Sequence, residues 1–137
     1  MKNYMRILVC ENDLLVKTII WKILVGAGHH VETAIDGQDA LEKIQKNQNK
    51  FDLLITDNNM PRLTGIELVE KLRALKTQLK VIMSSSAISP LEAGTRNRLQ
   101  LSGILYKPFK VTNLLDCLNM LLISRRIDLK GLRACLN

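Results

Sequence analysis

Phe51-Asp52-Leu53-Leu54-Ile55-Thr56-Asp57-Asn58-Asn59-Met60-Pro61 is the stretch that decides the fold. Its first six residues form a short apolar run suited to a strand buried on both faces, as in a parallel sheet. The following Asn58-Asn59-Met60-Pro61 cannot continue that strand. Asp57 therefore stands at a strand's C-terminal edge, where ligands bind in open α/β sheets. A carboxylate there is a candidate nucleophile or metal ligand.

Outward from this run the same pattern recurs. Strands are expected at Arg6 to Cys10, His30 to Ala34, Phe51 to Thr56, Lys80 to Ser84 and Gly103 to Tyr106, five in all. Helical faces lie between them: Val16, Ile19, Ile20, Ile23 and Leu24; Ala40, Leu41 and Ile44; Leu68, Val69, Leu72 and Leu75; Leu114, Leu115, Leu118, Leu121 and Leu122. Thr64-Gly65-Ile66-Glu67 and Ser89-Pro90-Leu91-Glu92 both have the form of a capping box at a helix start. Alternating strand and helix implies right-handed crossovers and a three-layer α/β sandwich without an internal repeat.

Two helices are unusual. Leu91 to Leu101 has a thin apolar stripe and contains Gly94 and Thr95, so a short or mobile helix is expected. Val111 to Ile123 is apolar nearly all round and wants a second cover. Either a C-terminal tail of residues 124–137, with Leu129, Leu132 and Leu136, packs on it, or a second copy does, giving a homodimer through the last helix. Residues 1–123 form the expected domain.

Composition narrows the function classes. A chain of 137 residues with 47% hydrophobic content suits one domain with a real core. The first residues lack a signal-peptide core and no apolar stretch approaches membrane-spanning length, so a cytoplasmic protein with no membrane partner is expected. Cys10, Cys117 and Cys135 are far apart with no CxxC pair, which argues against a disulfide framework or a zinc site. The net charge of +7 falls mostly in residues 51–137, with thirteen Lys/Arg against seven Asp/Glu. No run of five like charges and no interleaved aromatics accompany it, so a solvated surface with a modest preference for acidic partners is the reading. Direct nucleic-acid binding is not expected, since fourteen residues after Ile123 are too few for a DNA-binding domain.

In this topology the residues after strands one, three, four and five converge at one edge: Glu11, Asn12 and Asp13; Asp57, Asn58 and Asn59; Ser85, Ser86 and Ala87; Lys107 and Pro108. Carboxylates and carbonyls suit a hard cation such as Mg²⁺, while a hydroxyl and an ammonium suit phosphoryl oxygens. Together they describe phosphoryl transfer to Asp57, with Lys107 and the metal neutralising charge and Ser86 donating a hydrogen bond. The plainer readings are a turn cap for Asp57 and a surface lysine for Lys107. His29 and His30 are expected as exposed turn residues, and Trp21 as packing.

The ordered set Ile7-Leu8-Val9-Cys10-Glu11-Asn12-Asp13, Phe51 to Pro61 with Gly65, Val81-Ile82-Met83-Ser84-Ser85-Ser86-Ala87 and Leu105-Tyr106-Lys107-Pro108-Phe109 resembles a response-regulator receiver domain of two-component signalling, over roughly residues 5–123. The resemblance implies a doubly wound, flavodoxin-like, five-stranded parallel sheet in the order 2-1-3-4-5. It implies that Asp57 accepts a phosphoryl group from a histidine kinase or phosphotransfer protein, that Ser86 and Lys107 read it, and that Lys107-Pro108 is cis. It further implies Mg²⁺ held by Glu11, Asn12, Asp57 and the Asn59 carbonyl, and a change in the surface of the fourth helix, fifth strand and fifth helix.

The chain departs from the family pattern twice. Asn12 stands where the family usually has a second acidic residue, which removes a formal charge and weakens the expected Mg²⁺ site. Asp13 is the residue that would compensate, or else cap the first helix. Ile104 stands where a switching Tyr or Phe is usual, and strand alternation is expected to set Tyr106 apart from that face. These departures motivate a second reading, a receiver-like interaction module that works without phosphorylation. An aspartate-nucleophile phosphatase usually wants a second Asp where Asn59 stands, so an enzyme is not expected.

Overall fold

The five apolar runs pair side by side in the computed structural model, which describes the backbone of residues 4–47, 50–86, 88 and 90–136, and side chains as far as residue 124. They are β1 (Arg6–Cys10), β2 (His30–Ala34), β3 (Leu53–Asp57), β4 (Lys80–Ser86) and β5 (Gly103–Lys107). All pairings are parallel, in the order β2-β1-β3-β4-β5. The helices are α1 (Leu14–Gly26), α2 (Gly37–Lys46), α3 (Gly65–Ala74), α4 (Thr95–Leu99) and α5 (Val111–Leu136). This is the flavodoxin-like order that the resemblance implied.

Strand alternation divides the core in two. Ile7, Val9, Leu53, Ile55, Ile82 and Leu105 meet Ile20 and Leu24 of α1 and Leu114 and Leu118 of α5. On the other face Leu8, Leu54, Val81 and Met83 meet Ala40, Leu41 and Ile44 of α2, Leu68 and Leu72 of α3, and Leu99 of α4. The sheet is thus covered on both sides, the condition for continuous apolar strands.

Thr64 forms a complete capping box with Glu67 and opens α3. The second expected box does not start a helix. α4 begins at Thr95 after Gly94, without a side-chain cap, and is five residues long; Ser89 lies outside the described residues. Pro90 to Glu92 run without regular structure instead, leaving α4 as short as its thin stripe implied. Nor do residues 124–136 fold back on the last helix, because α5 runs unbroken to Leu136. Ile19, expected on the inner face of α1, is 47% exposed, as are Leu14 and Leu15 to a greater degree.

His29 is a further correction. It is buried, and its Nδ1 accepts a hydrogen bond from the Met5 N–H at 3.0 Å. The ring closes the chain between α1 and β2 onto the residue before β1. His30, stacked on Tyr4 with ring centroids 4.8 Å apart, is the exposed one. Among the described residues no helix is long and apolar enough to cross a membrane.

Candidate functional site

The polar ends of β1, β3, β4 and β5 follow from the register. Asp57 pairs with Ser84, Ser84 with Leu105, and Ser86 with Lys107. Residues paired across a parallel sheet share a face, and the face repeats every second residue. Asp57, Ser84, Ser86 and Lys107 therefore continue the rows of Ile55, Ile82 and Leu105 past the point where apolar packing stops. Glu11 continues Val9 in the same way.

At that edge the Lys107 ammonium lies between two carboxylates. Its Nζ donates to Glu11 Oε2 at 3.0 Å and sits 3.3 Å from Asp57 Oδ2. Glu11 is 2% exposed and Asp57 5%. Burial pushes the Glu11 carboxyl above its usual range, against the Asp13 N–H and Lys107, which favour its charged form. Burial opposes the charge on Lys107 too, but its hydrogen bond to Glu11 and the charges of Glu11 and Asp57 prevail and raise its pKa. Ionised, the trio carries one net negative charge in a poorly hydrated place.

The loop after β3 is tightly closed. Asn59 N–H donates to Asp57 Oδ1 at 3.2 Å. The Asn58 carbonyl accepts from Met60 and Gly65 N–H, and Asn58 Oδ1 accepts from Ile66 N–H at 3.0 Å. The first turn of α3 is thereby capped by the residue next to Asp57. Gly65 is required there, since a Cβ would fall 2.5 Å from the Asp57 carbonyl oxygen.

The remaining expected site residues divide. Ser86 lies at the end of β4, within the strand and not after it, and its Oγ accepts from Ile88 N–H at 3.2 Å, which leaves its own proton to donate. The Lys107-Pro108 bond is cis. Asn12 is exposed at the rim. Asp13 caps α1, its Oδ1 accepting from Leu15 and Val16 N–H at 2.9 and 3.1 Å. Among the described residues no three His, Cys, Asp or Glu side chains gather as a metal cluster. The donors left are hard oxygens: the Glu11 and Asp57 carboxylates, the Asn59 carbonyl and the Asn12 amide. With the uncompensated negative charge, that set fits a hard divalent cation and not a soft one.

Ile104 packs with the apolar cluster beneath α2, α3 and α4. Tyr106, expected on a different face, is two residues further along β5 and so shares the side of Ile104, one step nearer the edge and 42% exposed. Sequence reasoning missed one neighbour altogether, the ion pair of Arg62 with Asp36, whose NH2 and Oδ2 atoms are 2.5 Å apart. No local signal pairs residues so far apart, although a lone Asp ahead of α2 and a lone Arg ahead of α3 were visible.

The response regulator receiver domain model matches residues 7–119. The chain belongs to this family. It is 31% identical over 123 residues to the response regulator receiver protein CpdR of Brucella abortus, covering 87% of this chain and 98% of that protein. It is also 40% identical over 86 residues to the two-component response regulator ARR10 of Arabidopsis thaliana, a match spanning 63% of this chain and 15% of that much longer protein. The chemotaxis response regulator CheY4 of Vibrio cholerae superposes with a TM-score of 0.76 at 32% identity, over 86% of this chain and 98% of that one. The receiver domain of Francisella response regulator 1452 gives 0.78 at 28% identity, over 88% and 98%. The receiver fold and its place in two-component signalling are thus established for this chain. Receiver domains are signalling modules that exchange phosphoryl groups with histidine kinases or phosphotransfer proteins.

Proposed function

We propose that this receiver domain is a phosphorylation switch whose acceptor is Asp57. The observation that carries this reading is the Lys107 ammonium held beside Asp57 and Glu11, on the same row as the Ser86 hydroxyl. An Asp57 carboxylate oxygen attacks phosphorus in line with the imidazole nitrogen of a phosphohistidine donor. The new P–O bond forms as the P–N bond breaks, and the nitrogen leaves with its electron pair. Lys107 offsets charge on the phosphoryl oxygens and Ser86 donates a hydrogen bond to one of them. Glu11, Asp57, the Asn59 carbonyl and the Asn12 amide would hold Mg²⁺, which supplies further charge neutralisation when bound. With an amide at position 12, that binding is weaker than two acidic residues would give.

A histidine kinase or phosphotransfer protein is the donor in this reading. The groove of Val16, Ile19, Ile20, Ile23, Phe109 and Val111 beside Lys107 supplies an apolar surface for it to meet. The surface of α4, β5 and α5 is the output face. Residues 1–123 are the working unit, in the cytoplasm, without direct nucleic-acid binding, and α5 is the surface through which two copies would pair.

The test is intact-mass measurement after incubation with acetyl phosphate and Mg²⁺. Addition of one phosphoryl group, lost in Asp57→Asn, is expected, with faster labelling of Asn12→Asp. A second reading is favoured by Ile104: with an aliphatic side chain packed where an aromatic would rotate, the domain works as an interaction module in one state. An unlabelled wild type under conditions that label Asn12→Asp would decide for that reading.

A further inference from the structure

We infer that Arg62 is a positioning residue for the Asp57 site, acting through the β3–α3 loop that it fastens to the loop before α2; the inference rests on the phosphoacceptor reading above. Arg62 has φ 68°, a left-handed conformation disfavoured for arginine, so the surrounding structure must hold it. What holds it is Asp36. Asp36 Oδ1 accepts from Asp39 N–H at 2.8 Å and caps α2, while Oδ2 accepts from Arg62 NH2. The Asp36 side chain is 10% exposed, against 73% for Arg62, so the guanidinium reaches from the surface to a shielded carboxylate.

A second contact reinforces this fastening. Leu63 is buried beside Gly37, the first residue of α2, where a Cβ would fall 2.9 Å from the Leu63 carbonyl oxygen. The β3–α3 loop is therefore closed at its base by the Asn58 hydrogen bonds and held at its tip by Arg62 and Leu63. Between base and tip lies Asn59, flanked by the 58–59 and 59–60 peptide units. Its N–H donates to Asp57 and its carbonyl is the oxygen assigned to the metal. A loose tip lets the two peptide units flanking Asn59 turn about its Cα, which misaims the N–H in one and the carbonyl in the other. Residues that orient a metal ligand without touching the metal commonly change metal affinity by about 10- to 100-fold.

The experiment compares Arg62→Asn, which tolerates the left-handed backbone but lacks the cation, with Arg62→Lys, which keeps the charge. In metal-free, unphosphorylated protein, Asn59 amide hydrogen exchange should speed up about tenfold in Arg62→Asn and stay near wild type in Arg62→Lys. With acetyl phosphate, Arg62→Asn should need about tenfold more Mg²⁺ for half-maximal labelling, while its rate at saturating Mg²⁺ stays within about twofold. Wild-type exchange at Asn59 in Arg62→Asn overturns the inference, whatever the labelling does. Equal loss of thermal stability in both variants with no change in Mg²⁺ dependence overturns it too, by assigning Arg62 a purely structural role. Faster exchange in a protein whose wild type never labels supports the fastening and sinks the phosphoacceptor reading instead.

Discussion

The two edges of the sheet handle buried polarity in opposite ways. At the N-terminal edge one cation serves backbone carbonyls: Arg73 Nε donates to Leu99 O at 2.9 Å, NH1 to Leu79 O at 2.8 Å and Thr77 O at 3.2 Å, and NH2 to Gln100 O at 3.2 Å. That ties the end of α3 to the end of α4 and to the start of β4. His29 does a smaller version of the same work with the Met5 N–H. At the C-terminal edge two carboxylates share one ammonium and keep a net charge. The N-termini of α1, α2 and α3 point toward that edge and make anions tolerable there. One edge satisfies its backbone carbonyls, leaving only Thr77 Oγ1 without a partner among the described residues, and the other keeps binding capacity; that difference separates a structural cluster from a site.

Substitutions sharpen the contrast. Arg73→Met should have the largest effect, a loss of about 3 kcal/mol in urea denaturation, because it strands several carbonyls at once. Phosphoryl labelling should persist below the transition. An Arg73→Met protein as stable as wild type would mean that water replaces the guanidinium and that the two edges do not differ. Lys107→Met should cost about 2 kcal/mol, less than for a fully buried pair because the lysine side chain is 28% exposed, and should abolish labelling. Asp57→Asn should change stability in the other direction, with a gain of about 1 kcal/mol on removing one of the two like charges, Asp57 and Glu11, that share Lys107. If it destabilises, the charge imbalance at the Asp57 edge is absent.

The smallest effect concerns His29. Burial lowers its pKa below the usual 6.5, so the folded state favours the neutral ring. Its contribution to stability is complete above 6.5 and is lost as pH falls through the depressed folded value. Unfolding free energies measured from about pH 7 down to pH 5 should decline in wild type and decline less in His29→Gln. Equal slopes would remove His29 from the account.

Much of the Asp57 site was readable because apolar runs stop abruptly where polar residues begin. Asp57, Ser86 and Lys107 each end such a run, and alternation with helices makes the runs parallel, so their ends meet. The unreadable parts depend on partners distant in sequence. Asp13 is the cap of α1, its carboxylate accepting from the amides of its own helix. His29 is buried by Met5, 24 residues away, and Arg62 is paired with Asp36, 26 residues away. The helix expected from Ser89 is replaced by a later start at Thr95, since a local cap signal is weak against tertiary packing that buries Thr95 and Leu99 but Leu91 only in part.

The sequence by itself determined the strand and helix alternation, the parallel sheet and the identity of the groups brought to its C-terminal edge, because side-chain periodicity and turn chemistry are local. Only the tertiary structure decided which carboxylates face Lys107 and that Arg62 joins two loops. Those outcomes depend on register and on ion pairs closed across the fold, with Glu11 and Lys107 96 positions apart. No local pattern encodes the geometry of a contact that forms only when the sheet has assembled.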